Sequence, residues 1–422
     1  MTDASDAQRS PGIVRRLLGF SMLPFFASVL PLIAVPIMSR ASSGDEYAAL
    51  GIGMGVGAFA AAVALVGWNL LGTPLVIAAE TSRERELLYA RSFYIRGIAV
   101  VLAAAASGIV AAVIAPPAAA TAAVFAVATA LNAMTLSWYA VAVASPGLVL
   151  WYEVVPRAIA TALAIGVVLV TGRIFWYGAL LALSFFAGLL IFHLRTFRRV
   201  LPAWPGGRQL RDDVADMRAA WGVETMTSLS TNAPVPVAGA LIGTAGTVSF
   251  SSSDRIYRYG LMAIIAAGNA LQGWVLESTA EVRRRRNIVA FAIMGAVALI
   301  GWVVLAILGP FVSALMFGAD KAGDPLVFHF YAIAFVGLTM ATPLIRNILV
   351  PARRDRQVLL ASIAAAVVAF VAMVVSGLLW GGVGVALGFA LGEVVNLAIC
   401  VLLALSLHRS RHDSPQHQRE NS

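Results

Sequence analysis

The sequence has few charges, a single cysteine and none of the motifs of a soluble enzyme. Only 12% of its 422 residues are charged, while 60% are hydrophobic, which is too little charge for the surface of a soluble protein of this length. The one cysteine, Cys400, excludes a disulfide within the chain. The histidines show no metal-ligand spacing, and no G-x-S-x-G or Walker motif is present. We therefore expect neither a metal site nor an enzymatic activity.

Apolar runs long enough to cross a membrane recur along the chain. A helix needs about 20 residues to span the hydrocarbon core, and the sequence offers twelve such windows separated by short polar breaks. They lie at 15–38, 48–77, 96–115, 118–143, 156–172, 175–194, 221–243, 248–280, 287–317, 326–350, 357–379 and 382–407. The sequence thus predicts an all-α, multi-pass protein of the cell (inner) membrane with about twelve transmembrane helices.

The basic residues predict the orientation, because short cytoplasmic loops are enriched in Lys and Arg. If the N-terminus is inside, most of the 30 basic residues fall in cytoplasmic segments, among them Arg96, Arg157 and the run 283–286. The outer breaks hold only Arg40, Arg173 and Lys321. Both termini are therefore expected inside. The net charge of +9 is explained by topology and does not indicate nucleic-acid binding.

The longest polar interval, 195–220, divides the chain into two halves with six predicted spans each. Because each half has an even number of spans, both begin on the same side, and any internal symmetry axis runs along the membrane normal. The expected divisions are a disordered cytoplasmic N-terminus at 1–13, an N-terminal lobe at 14–199, a cytoplasmic linker at 200–219, a C-terminal lobe at 220–408 and a polar cytoplasmic tail at 409–422.

Prolines occur in the first span of each half, and a proline removes a helix hydrogen bond and bends the span. Pro31 lies in the first span and Pro234 in the seventh. Two bent helices at equivalent places predict a gating pair. The alternative is that prolines are simply commoner in membrane helices than in soluble ones.

Polar residues inside the spans indicate a cavity, since such groups are costly in lipid and usually face water or a partner. In "SSSDRIYRYG" at 251–260, Asp254 and Arg258 are four apart and can pair on one helix face, while Arg255 points elsewhere. The favoured interpretation is a cationic patch on a cavity wall. The alternative is an interfacial cluster whose side chains reach the lipid headgroups. Further polar candidates in the seventh and eighth spans are Asn232, Asn269 and Gln272.

The stretch "LPLIAVPIMSRASSGDEYAALGIGMGVGAFAAAVALVGWNLLGTPLVIA" resembles the opening of the polysaccharide (O-antigen type) flippases. These belong to the multidrug/oligosaccharidyl-lipid/polysaccharide (MOP) exporter superfamily. In that family the first span ends in a basic residue, here Arg40, and a short "lG-x-x-x-yG" loop follows, here "SGDEYAAL". A late "lG" step in the second span corresponds to Gly67 or Gly72, whereas Ala48 replaces the usual loop glycine.

The resemblance implies two lobes around a central cavity that opens alternately to each side. Its cargo would be an oligosaccharide on a polyprenyl diphosphate, moved from the inner to the outer leaflet for polysaccharide export. Because arginine binds phosphate oxygens in a bidentate manner, Arg255, Arg258 and Arg40 would hold the headgroup and Asp254 would keep Arg258 in place. The implied partners are membrane lipids, glycosyltransferases and a polysaccharide polymerase. No cofactor is implied, and coupling to H⁺ or Na⁺ is left open.

Three other functions remain open at this stage. A cation-coupled multidrug exporter is expected to have a buried carboxylate in the N-terminal half, and no Asp or Glu lies in the middle of a span there. A flippase of a lipid-linked peptidoglycan precursor belongs to the same superfamily. A non-transporting membrane scaffold of a glycan assembly complex would be a protein of another class.

Overall fold

The computed structural model describes residues 32–277 and 280–413, and all regular structure within these ranges is helical. The helices are α1 (32–40), α2 (Gly44–Leu65), α3 (Trp68–Ala78), α4 (Ser82–Ile114), α5 (Ala119–Ala130), α6 (Ser137–Ala142), α7 (Pro146–Val149), α8 (Val155–Thr171), α9 (Phe175–Thr196), α10 (Gly207–Asn232), α11 (Pro234–Leu276), α12 (Ala280–Val303), α13 (Gly309–Phe317), α14 (Pro325–Pro343) and α15 (Asp355–Asp413). Short 3₁₀ and π segments connect several of them.

The longest helix, α15, contains a reversal of the chain. Gly381 leaves the helical conformation with φ +58°, a value that favours glycine. Residues on either side of it face one another: the Ser376 hydroxyl donates a hydrogen bond to the carbonyl oxygen of Gly384 over 2.6 Å. Farther from the turn, a Cβ added to Gly388 would lie 2.2 Å from the backbone nitrogen of Met373. α15 is therefore an antiparallel pair of membrane helices packed backbone to backbone.

The same arrangement occurs in α11, where Gly243 has φ +68° and ψ 178°. A Cβ added to Gly51 of α2 would lie 2.8 Å from Ser251 Oγ and 3.2 Å from Val235 Cγ1. A straight helix would separate Val235 from Ser251 by about 24 Å, so both can reach Gly51 only because the chain turns back at Gly243. The segment before Gly243 continues the direction of α10, and the segment after it is the eighth span.

Nine stretches of the described residues are long and apolar enough to cross a membrane. Two of them contain the reversals described above, and together with α10 the nine account for the second to twelfth predicted spans. Of the predicted first span, 15–38, most lies outside the described residues. The all-α, multi-pass fold class is confirmed, whereas the orientation of the termini stays a prediction. α10 begins at Gly207, so much of the expected linker is helical.

Each half packs mainly within itself, α2 with α4 and α5 in the first half and α14 with α12 and α15 in the second. The halves meet where α2 packs against α10 and α11. Glycines make this contact close. A Cβ on Gly57 would lie 2.4 Å from the carbonyl oxygen of Ala126 in α5, and one on Gly55 would lie 2.6 Å from Pro236 Cδ in α11. α2 thus touches its own half with one face and the other half with the opposite face.

We predict that Gly388→Val destabilises the protein, because its side chain would overlap the backbone at Met373. Overpacking of this kind costs about 1–3 kcal/mol or more. Thermal unfolding of the purified protein in detergent measures the loss. Gly295→Val is the matched control, since a Cβ at Gly295 meets no atom within 4 Å. Equal stability of the two variants would contradict the close packing of the α15 hairpin.

Candidate functional site

A polar cavity of about 120 Å³ lies where the two halves meet. Glycines and an alanine on α2 leave the space, and the charged residues of α11 give it polarity. Its lining consists of Gly51, Met54, Gly55, Ala58, Thr129, Asn232, Val235, Ser251, Asp254, Arg255 and Arg258. At about 30 Å³ per water, this volume equals roughly four water molecules. This space is much smaller than a glycan headgroup.

Asp254 is held by two partners inside the C-terminal half. Its carboxylate accepts a hydrogen bond from Arg258 Nε at 2.6 Å and another from the Tyr331 hydroxyl at 3.1 Å. Arg258 also donates to the carbonyl oxygen of Thr231, over 3.0 Å. The ion pair expected from the four-residue spacing is present, so the charge of Asp254 is already balanced within the protein.

Arg255 has no such counter-charge. Only 9% of the residue is exposed, yet among the described residues no carboxylate forms an ion pair with it. Its Nη2 lies 3.5 Å from Met54 Sδ, and its guanidinium carbon lies 5.9 Å from the centre of the Tyr47 ring. Its Nε has no hydrogen-bond partner within residues 32–277 and 280–413. A buried cation without a counter-ion is unfavourable, and it makes the cavity a place where an anion would be stabilised.

These charges lie between helices and not on the outer surface of the helix bundle. Arg255 is twelve residues beyond the turn at Gly243, which corresponds to about 18 Å along a helix. That distance is near the middle of a hydrocarbon core of about 30 Å. The geometry favours the cavity interpretation of "SSSDRIYRYG" over the interfacial one.

The remaining predicted residues separate into two groups. Asn232 lines the cavity, with its amide nitrogen 3.0 Å from Ser228 Oγ. Arg40 does not: it is exposed, and its Nε donates to the carbonyl oxygen of Met316 at 3.2 Å. This position suits a cation, because the carbonyl groups at the end of α13 carry partial negative charge. Arg40 was expected near the headgroup, at the outer end of the site; it does not line this cavity, and its role in holding the headgroup stays a prediction.

Asn269 and Gln272 lie farther along α11, beyond the cavity. The Asn269 side-chain oxygen accepts a hydrogen bond from Arg346, which follows α14 in the chain. Hydropathy placed both residues in the eighth span but could not tell which way they face. The Asn269 contact connects neighbouring helices of the C-terminal half. Neither residue lines this cavity, so their expected role in binding the substrate stays a prediction.

Of the two prolines assigned to gating, Pro31 lies outside the described residues. Pro234 is buried at the start of α11, directly after the end of α10. It lies between the cavity residues Asn232 and Val235. The break in the seventh span is therefore adjacent to the cavity.

A set of contacts that the sequence analysis missed joins the halves at one end. Lys321 is 4% exposed, and its Nζ donates to the carbonyl oxygens of Ser39 at 2.5 Å and Ser42 at 3.0 Å. Nearby, Thr244 Oγ1 donates to Asp45 Oδ1 at 2.6 Å. We call these five residues the Lys321 clamp. Hydropathy places Lys321 in a polar break, and nothing in the local sequence shows that its side chain is buried against the other half.

Two arginines assigned to cytoplasmic loops are instead part of a polar network within the N-terminal half. Arg96 is fully buried and donates to the carbonyl oxygen of Thr135 at 2.9 Å, where α5 has ended. Arg157 donates to Asn132 Oδ1 at 2.9 Å, and Glu153 accepts from Thr135 Oγ1 at 3.0 Å. These side chains form hydrogen bonds with the polar groups that are left where α5 ends. None of the five residues lines the cavity.

No protein-family model and no curated protein matches the sequence. Solved structures do match its fold. A multidrug resistance MATE family transporter of the MOP superfamily, in an inward-facing conformation, aligns with a TM-score of 0.61 at 14% identity, over 94% of this chain and 98% of that chain. The lipid II flippase MurJ, in an inward closed conformation, aligns with a TM-score of 0.71 at 10% identity, over 91% and 86%.

A third similar structure is a MOP superfamily transporter from Pyrococcus furiosus, whose binding pocket of reversed polarity suggests a different function for that protein. It aligns with a TM-score of 0.52 at 15% identity, over 93% of this chain and 94% of that one. At these identities the likeness concerns the fold alone. The chain is a multi-pass membrane protein with the fold of MOP superfamily transporters.

We predict that Arg255→Met leaves the protein as stable as before or more so, because it removes a charge without a counter-ion. Arg258→Met should lower stability by about 2 kcal/mol, since it leaves Asp254 uncompensated. This is less than the 3–5 kcal/mol of a fully buried pair, because 33% of the Arg258 side chain is exposed. Thermal unfolding in detergent measures both.

The double variant Asp254→Leu/Arg258→Met removes both charges of the ion pair and should recover most of the stability lost in Arg258→Met. If Arg255→Met is as destabilising as Arg258→Met, Arg255 has a stabilising partner and the cavity is not a site of excess positive charge.

Proposed function

We propose that this protein is a membrane transporter that moves a polyprenyl-diphosphate-linked oligosaccharide from the inner to the outer leaflet for polysaccharide export. The observation that carries the proposal is Arg255, buried on the wall of the cavity between the halves and, within the part of the chain that the structure describes, without an acidic partner. A diphosphate would supply the missing negative charge, and two of its oxygens could accept a bidentate pair of hydrogen bonds from the guanidinium. Association with glycosyltransferases and a polymerase remains a prediction.

The charge of the cavity favours an anionic cargo over a cationic one. Two arginines and one aspartate line it, and the aspartate is already paired. A cationic drug would meet Arg255 without a carboxylate to bind it, which argues against a multidrug exporter. Ser251 lines the same space, and its hydroxyl is buried without a hydrogen-bond partner, so it is available to a polar group of the cargo.

Transport requires the cavity to widen, because about 120 Å³ is too small for the proposed headgroup. The Lys321 clamp closes one end, which the predicted orientation places outside. Breaking its contacts while the opposite ends of the halves approach would give alternating access. Pro234, next to the cavity, lies where the seventh span can bend most easily.

A lipid-linked peptidoglycan precursor is the second candidate cargo, and the fold similarity to the lipid II flippase MurJ favours it. It would present the same kind of anionic linkage to Arg255 and Arg258. Competition between the two lipid-linked headgroups in the transport assay distinguishes the cargoes, since the preferred glycan will inhibit transport of the other at the lower concentration.

Reconstituted transport tests the role of Arg255. In proteoliposomes that contain a fluorescent polyprenyl-diphosphate oligosaccharide, Arg255→Ala should reduce the rate of flipping by about tenfold or more, a loss typical of a buried charge-assisted contact. Arg255→Lys should recover part of the rate, because it keeps the charge but not the bidentate geometry. Arg284→Ala, which changes an exposed arginine on α12, is the matched control.

Flipping by Arg255→Ala at the wild-type rate would contradict the proposal. Absence of flipping by the wild-type protein, with polysaccharide assembly in cells still dependent on it, would favour the scaffold alternative.

Cross-linking tests whether the halves must separate. In a Cys400→Ala background, Asp45→Cys and Thr244→Cys place thiols on α2 and α11, where the native side chains are hydrogen-bonded across the halves at 2.6 Å. Joining them with a short thiol cross-linker should stop flipping, and reductive cleavage of the linker should restore it.

The matched control joins two residues of the same half. Thr121 Oγ1 lies 2.9 Å from the Glu46 carboxylate, and both residues belong to the N-terminal half. Cross-linking of Glu46→Cys to Thr121→Cys should leave flipping unchanged. Undiminished flipping after complete cross-linking of the α2–α11 pair would show that transport does not need this end to open.

A further inference from the structure

An apolar groove of about 810 Å³ runs along the outside of the N-terminal half between α4 and α9. Its walls include Gly97, Val101, Phe186, Leu190, Val200 and Leu201. These side chains face the surroundings of the bundle: Val101 is 68% exposed and Phe186 is 58% exposed. At about 30 Å³ per water-sized group, the groove has room for roughly two dozen methylene groups, enough to hold an alkyl chain along its length.

A second, polar pocket of about 380 Å³ continues the groove at one end. Its polar lining is Arg83, Glu86, Thr196 and Arg199. Within the described ranges neither of these arginines forms an ion pair. With two cations and one carboxylate, the pocket is complementary to a singly charged anion.

The segment that follows α9 lines both the apolar groove and the polar pocket. Val200 and Leu201 line the apolar groove, while their neighbours Arg199 and Pro202 line the polar pocket. The carbonyl oxygen of Val200 lies 2.7 Å from a ring nitrogen of His193, and the carbonyl oxygen of Pro202 accepts a hydrogen bond from the Tyr94 hydroxyl at 2.8 Å.

Trp204 ends this segment, with its ring 4.7 Å from that of Tyr94 and more than half of its surface exposed. Arginines beside an exposed tryptophan at the end of a membrane helix are typical of the headgroup region of a bilayer. The polar pocket therefore lies at the depth of lipid phosphates, and the groove lies at the depth of their acyl chains.

Helix α5 separates this groove from the central cavity. Val127, on one face of α5, lines the groove, whereas Thr129, two residues on and hence on a different face, lines the cavity. Cargo bound at Arg255 therefore cannot place its tail in the groove without passing around α5. This separation favours an occupant of the groove other than the cargo.

We infer that the groove and the polar pocket together bind one anionic phospholipid of the surrounding membrane. Its acyl chains lie along α4 and α9, and its phosphate lies between Arg83 and Arg199. The site is independent of the cargo and of the central cavity. The bound lipid anchors the end of α9 and the following segment to the membrane. The predicted orientation places this end in the cytoplasmic leaflet, which is the leaflet rich in anionic lipid.

Native mass spectrometry of the full-length protein in detergent tests the site, with phosphatidylglycerol and phosphatidylcholine of identical acyl chains as probes. Wild-type protein should bind phosphatidylglycerol about tenfold more tightly or better, since each basic residue near the phosphate contributes appreciably to binding. Arg83→Gln/Arg199→Gln should abolish this preference. Arg284→Gln/Arg285→Gln removes the same charge from exposed arginines of the other half and should keep it.

Gly97→Phe tests the groove, because a Cβ at Gly97 meets no atom within 4 Å and a phenylalanine there would occupy the space of the lipid chains. It should weaken binding of both lipids, whereas Gly295→Phe, at an equally open position in α12, should not. Equal affinity for the two lipids in the wild type, or unchanged affinity in Arg83→Gln/Arg199→Gln, would overturn the inference. Tighter binding of a polyprenyl diphosphate, sensitive to Gly97→Phe, would also overturn it and would assign the groove to cargo.

Discussion

A guanidinium inside a membrane protein needs a counter-charge or water, and the arrangement around Arg255 follows from that requirement. Asp254 is one helical turn away from Arg258; its carboxylate forms an ion pair with Arg258 and accepts a hydrogen bond from Tyr331. Arg255, on another face of the same helix, has no carboxylate partner among the described residues and contacts a thioether and an aromatic ring. Small residues of α2 leave room opposite it. The cavity between the halves is thus small, polar and net positive, a state that an incoming anion would relieve.

The two halves contribute unequally to this cavity. The N-terminal half supplies mainly glycine, alanine and Met54, whereas the C-terminal half supplies the charges and Asn232. On the proposed function, the headgroup would be bound chiefly by α11 while the face of α2 can move away with little loss of binding energy. The Lys321 clamp holds the same two halves together at one end through hydrogen bonds to backbone carbonyls and one short side-chain pair. Binding and opening would therefore depend on one interface.

The sequence predicts the helical architecture well because hydropathy and the four-residue spacing of Asp254 and Arg258 are local properties. It fails where a side chain reaches a residue distant in the sequence. Lys321 contacts residues about 280 positions away, and Arg96 reaches past the end of α5. The positive-inside rule counts such basic residues as loop residues, although both Lys321 and Arg96 are buried in the packed protein. For the same reason the sequence could not tell which way Arg40 and Asn269 face, because the direction of each side chain depends on tertiary packing.

On the proposed function, the uncompensated positive charge of the cavity binds a diphosphate. The most direct measurement is the rise in unfolding temperature of the purified protein on addition of inorganic pyrophosphate, since a ligand that binds only the folded state stabilises it. We predict a saturable rise for the wild type, little or none for Arg255→Met, and an undiminished rise for Arg284→Met, which changes an exposed arginine outside the cavity. An equal rise for wild type and Arg255→Met would contradict this prediction.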